Sequence, residues 1–198
     1  MIHDLIRSRR SIRRYTTTPV SRLLIERLLE TAIWAPSAHN RQPWRFAVIE
    51  ADSVKLTLAM AMGERLRADR PADGDPVEAV EADAARSRAR ITSAPVVIAV
   101  CLTMADMDRY PDTRRKKAEY LMAAQSAAMA TQNFLLAAHA EGLGACWLCA
   151  PLFCPDAVRE ALALPADWEP QALITLGYPA NDGKPPARKP LASVALWL

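Results

Sequence analysis

Three stretches of this sequence predict an α+β fold, with a small sheet among helices and an extended tail. Val96 to Leu102 is an unbroken apolar run rich in β-branched residues, the pattern of a central strand. Thr113 to Glu141 holds neither Gly nor Pro and repeats Leu121, Ala124, Ala128, Leu135 and Ala138 at helical spacing, which predicts one long helix. The closing stretch carries Pro179, Pro185, Pro186 and Pro190, which forbid a regular helix and predict an extended arm.

The remaining elements follow in order. Met1 leads into a charged amphipathic segment with Ile2, Leu5 and Ile6 on its apolar side. Ser21 to Trp34 places Ile25, Leu28, Leu29, Ala32 and Ile33 at helical spacing, and Pro36 ends it by disfavouring the α conformation at Ala35. Trp44 to Ile49 reads as a short buried strand and Asp52 to Arg70 as a helix. Pro71 to Pro76 reads as a mobile connection. Glu78 to Ile91 mixes acidic and basic residues on an alanine background, the pattern of a solvent-facing helix. Gly142-Leu143-Gly144 stops the long helix. Ala145 to Leu148 and Ala172 to Leu176 are further strands, with a helix over Asp156 to Leu164 between them.

At 198 residues, 51% hydrophobic and 24% charged, the chain suits a single domain spanning residues 1–198. A formal charge of +3 implies no general affinity for nucleic acid. Gln125, Ser126, Thr131, Gln132 and Asn133 argue against a membrane span in the long helix. Without a secretory leader the expected compartment is the cytoplasm, where the four cysteines at 101, 146, 149 and 154 form no disulfide framework. Cys146 and Cys149 fall in an apolar run read as strand, where positions three apart face opposite ways. No second ligand pair accompanies them, so core packing is the reading and no metal centre is expected.

Two segments carry chemistry. Arg7, Arg9, Arg10, Arg13 and Arg14, around Ser8 and Ser11, supply fixed forks of N–H donors that suit a phosphate, although a bare arginine run also fits a solvated face or a nucleic-acid patch. Ala35-Pro36-Ser37-Ala38-His39-Asn40-Arg41-Gln42-Pro43-Trp44 is a turn of small and amide-bearing residues that can approach the polar edge of a flat heterocycle, or can simply join helix to strand. His39 in this turn reads more simply as a hydrogen-bonded loop histidine than as a substrate contact. No Ser/His/Asp or Cys/His set is apparent, and the three histidines are scattered.

These segments, in this order and with Gly142-Leu143-Gly144-Ala145-Cys146-Trp147 after them, resemble the FMN-dependent nitroreductase family over nearly the whole chain. The resemblance implies a mixed, largely antiparallel sheet flanked by helices, a homodimer, FMN as cofactor and NAD(P)H as hydride donor. It implies that Arg9, Arg10, Ser11, Ile12 and Arg13 form the segment that holds the ribityl and phosphate oxygens. Pro36, Ser37, Ala38, Asn40 and Gln42 would then belong to the loop that meets the flavin ring from the partner subunit. Leu143 and Gly144 would lie where a backbone N–H faces the flavin N5, and Arg188 would return to the phosphate. The catalytic side chains stay unassigned, since the flavin itself carries the hydride.

A narrower resemblance lies in Tyr110-Pro111-Asp112, Arg114-Arg115, Ala118-Glu119 and Leu164-Pro165-Ala166-Asp167-Trp168-Glu169-Pro170. These are similar to the C-terminal flavin reductase domain of the bifunctional enzyme that makes coenzyme factor 420. The glutamyl-ligase half has no counterpart here, so ligase activity is not implied. The expected activity is transfer of a hydride through FMN to a small electron-poor organic acceptor. The alternatives are a stand-alone reductase of the dehydro precursor of factor 420, a flavin-fragmenting or dehalogenating enzyme and, from another class, a non-enzymatic basic adaptor on nucleic acid. The absence of a Gly-x-Gly-x-x-Gly turn favours FMN over FAD.

Overall fold

The computed structural model describes residues 1–198. In chain order its elements are α1 (Ile2–Ser8), α2 (Arg22–Ala32), β1 (Trp44–Ile49), α3 (Asp52–Asp69), α4 (Val77–Thr92), β2 (Val96–Leu102), α5 (Thr113–Ala140), β3 (Gly144–Leu148), α6 (Pro155–Ala161) and β4 (Glu169–Gly177). The strands lie in the order β1-β2-β4-β3 and pair antiparallel throughout. The one parallel element is a bridge from Ser11 to Ala145, which lays the N-terminal segment along the free edge of β3. A mixed, largely antiparallel sheet is thus what forms.

β2 is apolar without a break because helices cover both of its faces. Val96, Ile98 and Val100 pack with Ile25, Leu28, Phe134 and Ala138 of α2 and α5. Val97, Ala99 and Cys101 pack with Leu58, Met62, Ile91 and Val158 of α3, α4 and α6. The alternation is the two-residue period of a strand, read on a three-layer stack of helices, sheet and helices. β4 is longer than the predicted Ala172 to Leu176. It takes in Pro170, which a central strand admits only at an irregularity, and the register with β2 shifts there, between Val100 and Cys101.

α5 forms as one helix. Asp112 caps its start by accepting from the Arg115 N–H at 2.9 Å. At its end Gly142 takes φ 74°, the Leu143 N–H donates to the Ala138 carbonyl at 2.8 Å and the Gly142 N–H to His139 at 3.1 Å. The expected face is buried only in part: Leu135 and Ala138 are buried, Ala124 and Ala128 are half-buried and Leu121 is 56% exposed, while Ala123, Ala127, Ala130 and Phe134 complete the buried side. Gln125 and Gln132 mark the exposed side, but the alanines flanking them leave the phase of the apolar pattern loosely set. Ser126 and Thr131 are buried beside them, each donating to the carbonyl four residues back, Met122 at 2.7 Å and Ala127 at 2.8 Å.

Three further expectations need correction. α4 is not purely solvent-facing, since it buries Val80, Ala84 and Ile91 against α3. The Pro71–Pro76 connection opens with a 3₁₀ turn, Arg70–Asp73, and is pinned by Arg70, which pairs with Asp75 at 2.6 Å and also with Asp83. Cys149 lies beyond β3 and is exposed, while Cys101, Cys146 and Cys154 are buried, so the opposite-face argument does not apply to the pair. Burial pushes the Cys101 thiol up to about 12 and raises Cys146 and Cys154 as well. No helix is long and apolar enough to cross a membrane.

Candidate functional site

The N-terminal segment and the tail are brought together by backbone pairing. Ile12 N–H donates to Ala145 at 3.0 Å, Thr16 N–H to Tyr178 at 2.9 Å and Ala180 N–H to Arg14 at 3.0 Å. The Tyr15 hydroxyl donates to the Ile12 carbonyl at 2.6 Å and takes the Thr175 hydroxyl, 2.7 Å away, as its second partner. Burial pushes its pKa above the ordinary phenol range, so it stays a neutral clamp between segment and sheet.

Between these segments lies a cleft of about 880 Å³ lined by Arg9, Arg10, Ser11, Arg13, Arg14 and residues 181–186 with Arg188. Its six cations, counting Lys184, face a single carboxylate, Asp182, and none of the six makes an ion pair with any carboxylate of the fold. Like charges gathered without counter-ions are held at a cost that an anionic ligand removes. Several forks are already oriented by backbone oxygens. Arg10 Nη1 donates to Arg7 at 2.7 Å and Arg188 Nη1 to Ala187 at 2.9 Å. Gly183 closes the cleft at φ 70°, where a Cβ would lie 2.9 Å from Arg10 Cβ, so this turn needs glycine. Its N–H is held by Asn181 Oδ1 at 3.1 Å.

Of the residues singled out by sequence, Arg9, Arg10, Ser11, Arg13 and Arg188 share this cleft. Ile12 is buried behind it and fills the space over Gly144. Leu143 is buried, its N–H engaged in closing α5, and it meets the site through an adjoining cavity of about 280 Å³ whose walls include Arg9, Arg10 and Ile12. His139 lines the same cavity and bonds to Ser8 at 2.8 Å. Burial first, then the charges of Arg9 and Arg10, hold its pKa below the usual imidazole value.

The Pro36–Gln42 loop sits elsewhere. Ser37 Oγ accepts from Gln42 N–H at 3.0 Å, Gln42 Nε2 donates to Asn40 Oδ1 at 3.2 Å, and Ala38 N–H reaches Ser126 Oγ of α5 at 3.3 Å. His39, Asn40 and Gln42 all take positive φ, at 50°, 53° and 51°. Three non-glycine residues in that region within four positions are costly, and such strain concentrates at ligand-binding sites. The loop touches α5 at Ser126 and the N-terminal segment touches it at His139, 13 residues along, which at 1.5 Å per residue is about 20 Å. One chain therefore holds the two grips apart. Beside the loop, His39 comes together with Asp108 and Glu119, a grouping that spacing along the sequence did not reveal.

Residues 6–178 match the model of the nitroreductase family. The chain belongs to the nitroreductase family. It is 32% identical to a protein named NADH dehydrogenase from Thermus thermophilus, the match covering 96% of this chain and 92% of the relative. Among solved structures it is similar to a protein named as a nitroreductase from Desulfovibrio desulfuricans, crystallised in complex with FMN. That match has a TM-score of 0.78 and 35% identity, with 100% of this chain and 96% of the other covered. A BluB-like flavoprotein from Clostridium difficile shares the fold at TM-score 0.85 and 23% identity, over 100% and 99% of the two chains. Within this nitroreductase-family fold, sequence reasoning passed over Asn181, Gly183 and Lys184 as cleft residues. The Asn-Asp-Gly-Lys turn was a readable signal, but only the fold sets it against Arg10.

Proposed function

We propose that this chain is an FMN-dependent NAD(P)H oxidoreductase of the nitroreductase family, acting on an electron-poor organic acceptor and working as a homodimer of one FMN-binding domain per chain. The cleft of six unpaired cations carries the reading, because it fits a single terminal phosphate and has the donors to hold one. In this assignment Arg9, Arg10, Ser11, Arg13 and Arg188 hold the phosphate end, with Ile12, Leu143 and Gly144 forming the wall behind. Pro36, Ser37, Ala38, Asn40 and Gln42 of one subunit meet the ring of the flavin bound by the other. The separation of about 20 Å between the two grips supports the pairing of subunits. Trp34, Leu121, Met129, Leu191, Leu196 and Trp197 are apolar side chains that the single chain leaves exposed and that a partner subunit can cover. When bound, FMN supplies the two-electron step between NAD(P)H and the acceptor. The protein's part is to bind, orient and shield, which needs no acid–base triad. Membership of an oxidoreductase family takes the place of the nucleic-acid adaptor alternative.

Purified protein is expected to show flavin absorbance and a mass twice that of the 21.8 kDa chain. Losing one charge-assisted contact costs ~1.5–3 kcal/mol, so Arg9→Ala or Arg188→Ala is expected to weaken FMN binding roughly tenfold to a hundredfold. Unchanged affinity in both variants would refute the phosphate assignment.

A finer reading makes the acceptor the dehydro precursor of coenzyme factor 420. It rests on the two resembling segments, Tyr110 to Glu119 and Leu164 to Pro170; Tyr120, next to the first, donates to Glu169 of the second. The ratio of kcat/KM for that precursor to kcat/KM for a nitrofuran decides it.

A further inference from the structure

We propose a divalent-cation site formed by His39, Asp108 and Glu119. One ligand atom from each lies within 4.8 Å of the other two. In a tetrahedral site with metal–ligand bonds of about 2.0–2.2 Å the ligand atoms stand roughly 3.3–3.6 Å apart, so even the widest spread of 4.8 Å closes by about 1.2–1.5 Å, within reach of side-chain rotation. The three residues come from the strained loop before β1, the loop after β2 and the first turns of α5, which is why no short motif announces them.

Glu119 supplies the independent observation. It is 3% exposed, its Oε2 is buried without any hydrogen-bond partner, and it takes part in none of the ion pairs of the fold. An ionised carboxylate in that position is costly unless something positive faces it. Its surroundings offer a route for such a group, through a cavity of about 530 Å³ that Glu119 shares with Asp108, Met104 and Tyr110. His39 presents its ring from a residue at φ 50°, a conformation that needs a compensating interaction to persist.

The donor set decides the class of ion. One imidazole nitrogen with two carboxylate oxygens suits a first-row divalent metal such as Zn²⁺. It is too rich in nitrogen for Ca²⁺ or Mg²⁺ and lacks the sulfur that Cu⁺ selects. Arg41 opposes the metal, because its guanidinium already holds Asp108 Oδ1 at 2.5 Å and repels a second cation there. Arg41 is thus a competitor for the site, and its removal frees a ligand. None of this depends on the flavin assignment.

The test is calorimetric titration of the full-length protein with Zn²⁺ in a Cys149→Ser background, so that the exposed thiol does not compete. One Zn²⁺ per chain is expected, bound at least tenfold more weakly in His39→Ala and in Glu119→Gln and more tightly in Arg41→Gln. Circular dichroism checks that each variant is folded. Absence of stoichiometric binding in the parent, or equal affinity in the parent, His39→Ala and Glu119→Gln, overturns the proposal.

Discussion

The replacement of Gly144 by alanine tests how the sheet edge holds the arginine cleft in place. A Cβ at this position would stand 2.6 Å from Ile12 Cγ2, 2.7 Å from Ile12 Cβ and 2.9 Å from Ile12 Cγ1. Because Cβ is among the clashing atoms, no rotamer of Ile12 relieves the contact, and the backbone of the N-terminal segment has to move. That segment is tied to β3 by the Ile12 N–H bond to Ala145 and carries Arg9, Arg10 and Arg13 on its outer side. Overpacking of this kind costs about 1–3 kcal/mol. At about 2–4 °C per kcal/mol for a chain of this size, the melting temperature falls by roughly 2–12 °C. The displacement also spreads the cationic cluster, so FMN affinity, read by flavin fluorescence, falls with stability. Adding Ile12→Ala removes the two Cγ atoms but leaves Cβ, so the double variant is expected to recover only part of the loss beyond the cost of the new cavity. A Gly144→Ala protein with the parent's melting temperature and flavin affinity would refute the reasoning.

Other expectations concern buried and titrating groups. Lys55 is 3% exposed and its Nζ donates to Ala94 at 2.8 Å and Pro95 at 3.3 Å while pairing with Asp52 at 2.8 Å. Lys55→Met leaves those carbonyls without this donor, and urea titration is expected to show a loss of about 1–3 kcal/mol; an unmoved midpoint contradicts this. His139 is expected to make stability depend on pH. Its folded pKa lies below the unfolded value near 6.5, so the unfolded state binds more protons and stability falls as pH drops through that value. His139→Gln removes that part of the slope, and phosphate in the cleft, by offsetting Arg9 and Arg10, raises the His139 pKa in an NMR titration. A His139 pKa at or above 6.5 in the ligand-free protein would contradict the sign.

Much of the scaffold was legible because its signals are local. The Gly- and Pro-free run of α5, the stop at Gly142 and the apolar run of β2 depend on residues close together in the chain, and each formed as expected. The face that α5 buries was legible only in part, at Leu135 and Ala138 but not at Leu121, because an alanine-rich helix looks alike from several sides and the neighbours that choose among them, α2 and the sheet, lie far away in sequence. The Pro71–Pro76 connection likewise reads as loose until Asp83, in the second turn of α4, is seen to hold Arg70.

The two halves of the candidate site divide along the same line. The sequence by itself determined that this chain carries a concentrated set of arginines, a turn of small and amide-bearing residues, and the order of motifs that marks its family. Only the tertiary structure decided that Lys184 joins Arg188 at the arginine run, that Leu143 turns inward, and that Glu119 lies buried beside His39 and Asp108. The reason is physical. Helix stops and strand periods are set by the conformational preferences of neighbouring residues, whereas a cleft exists only once β3 has paired along one edge with the N-terminal segment and that segment has paired with the tail.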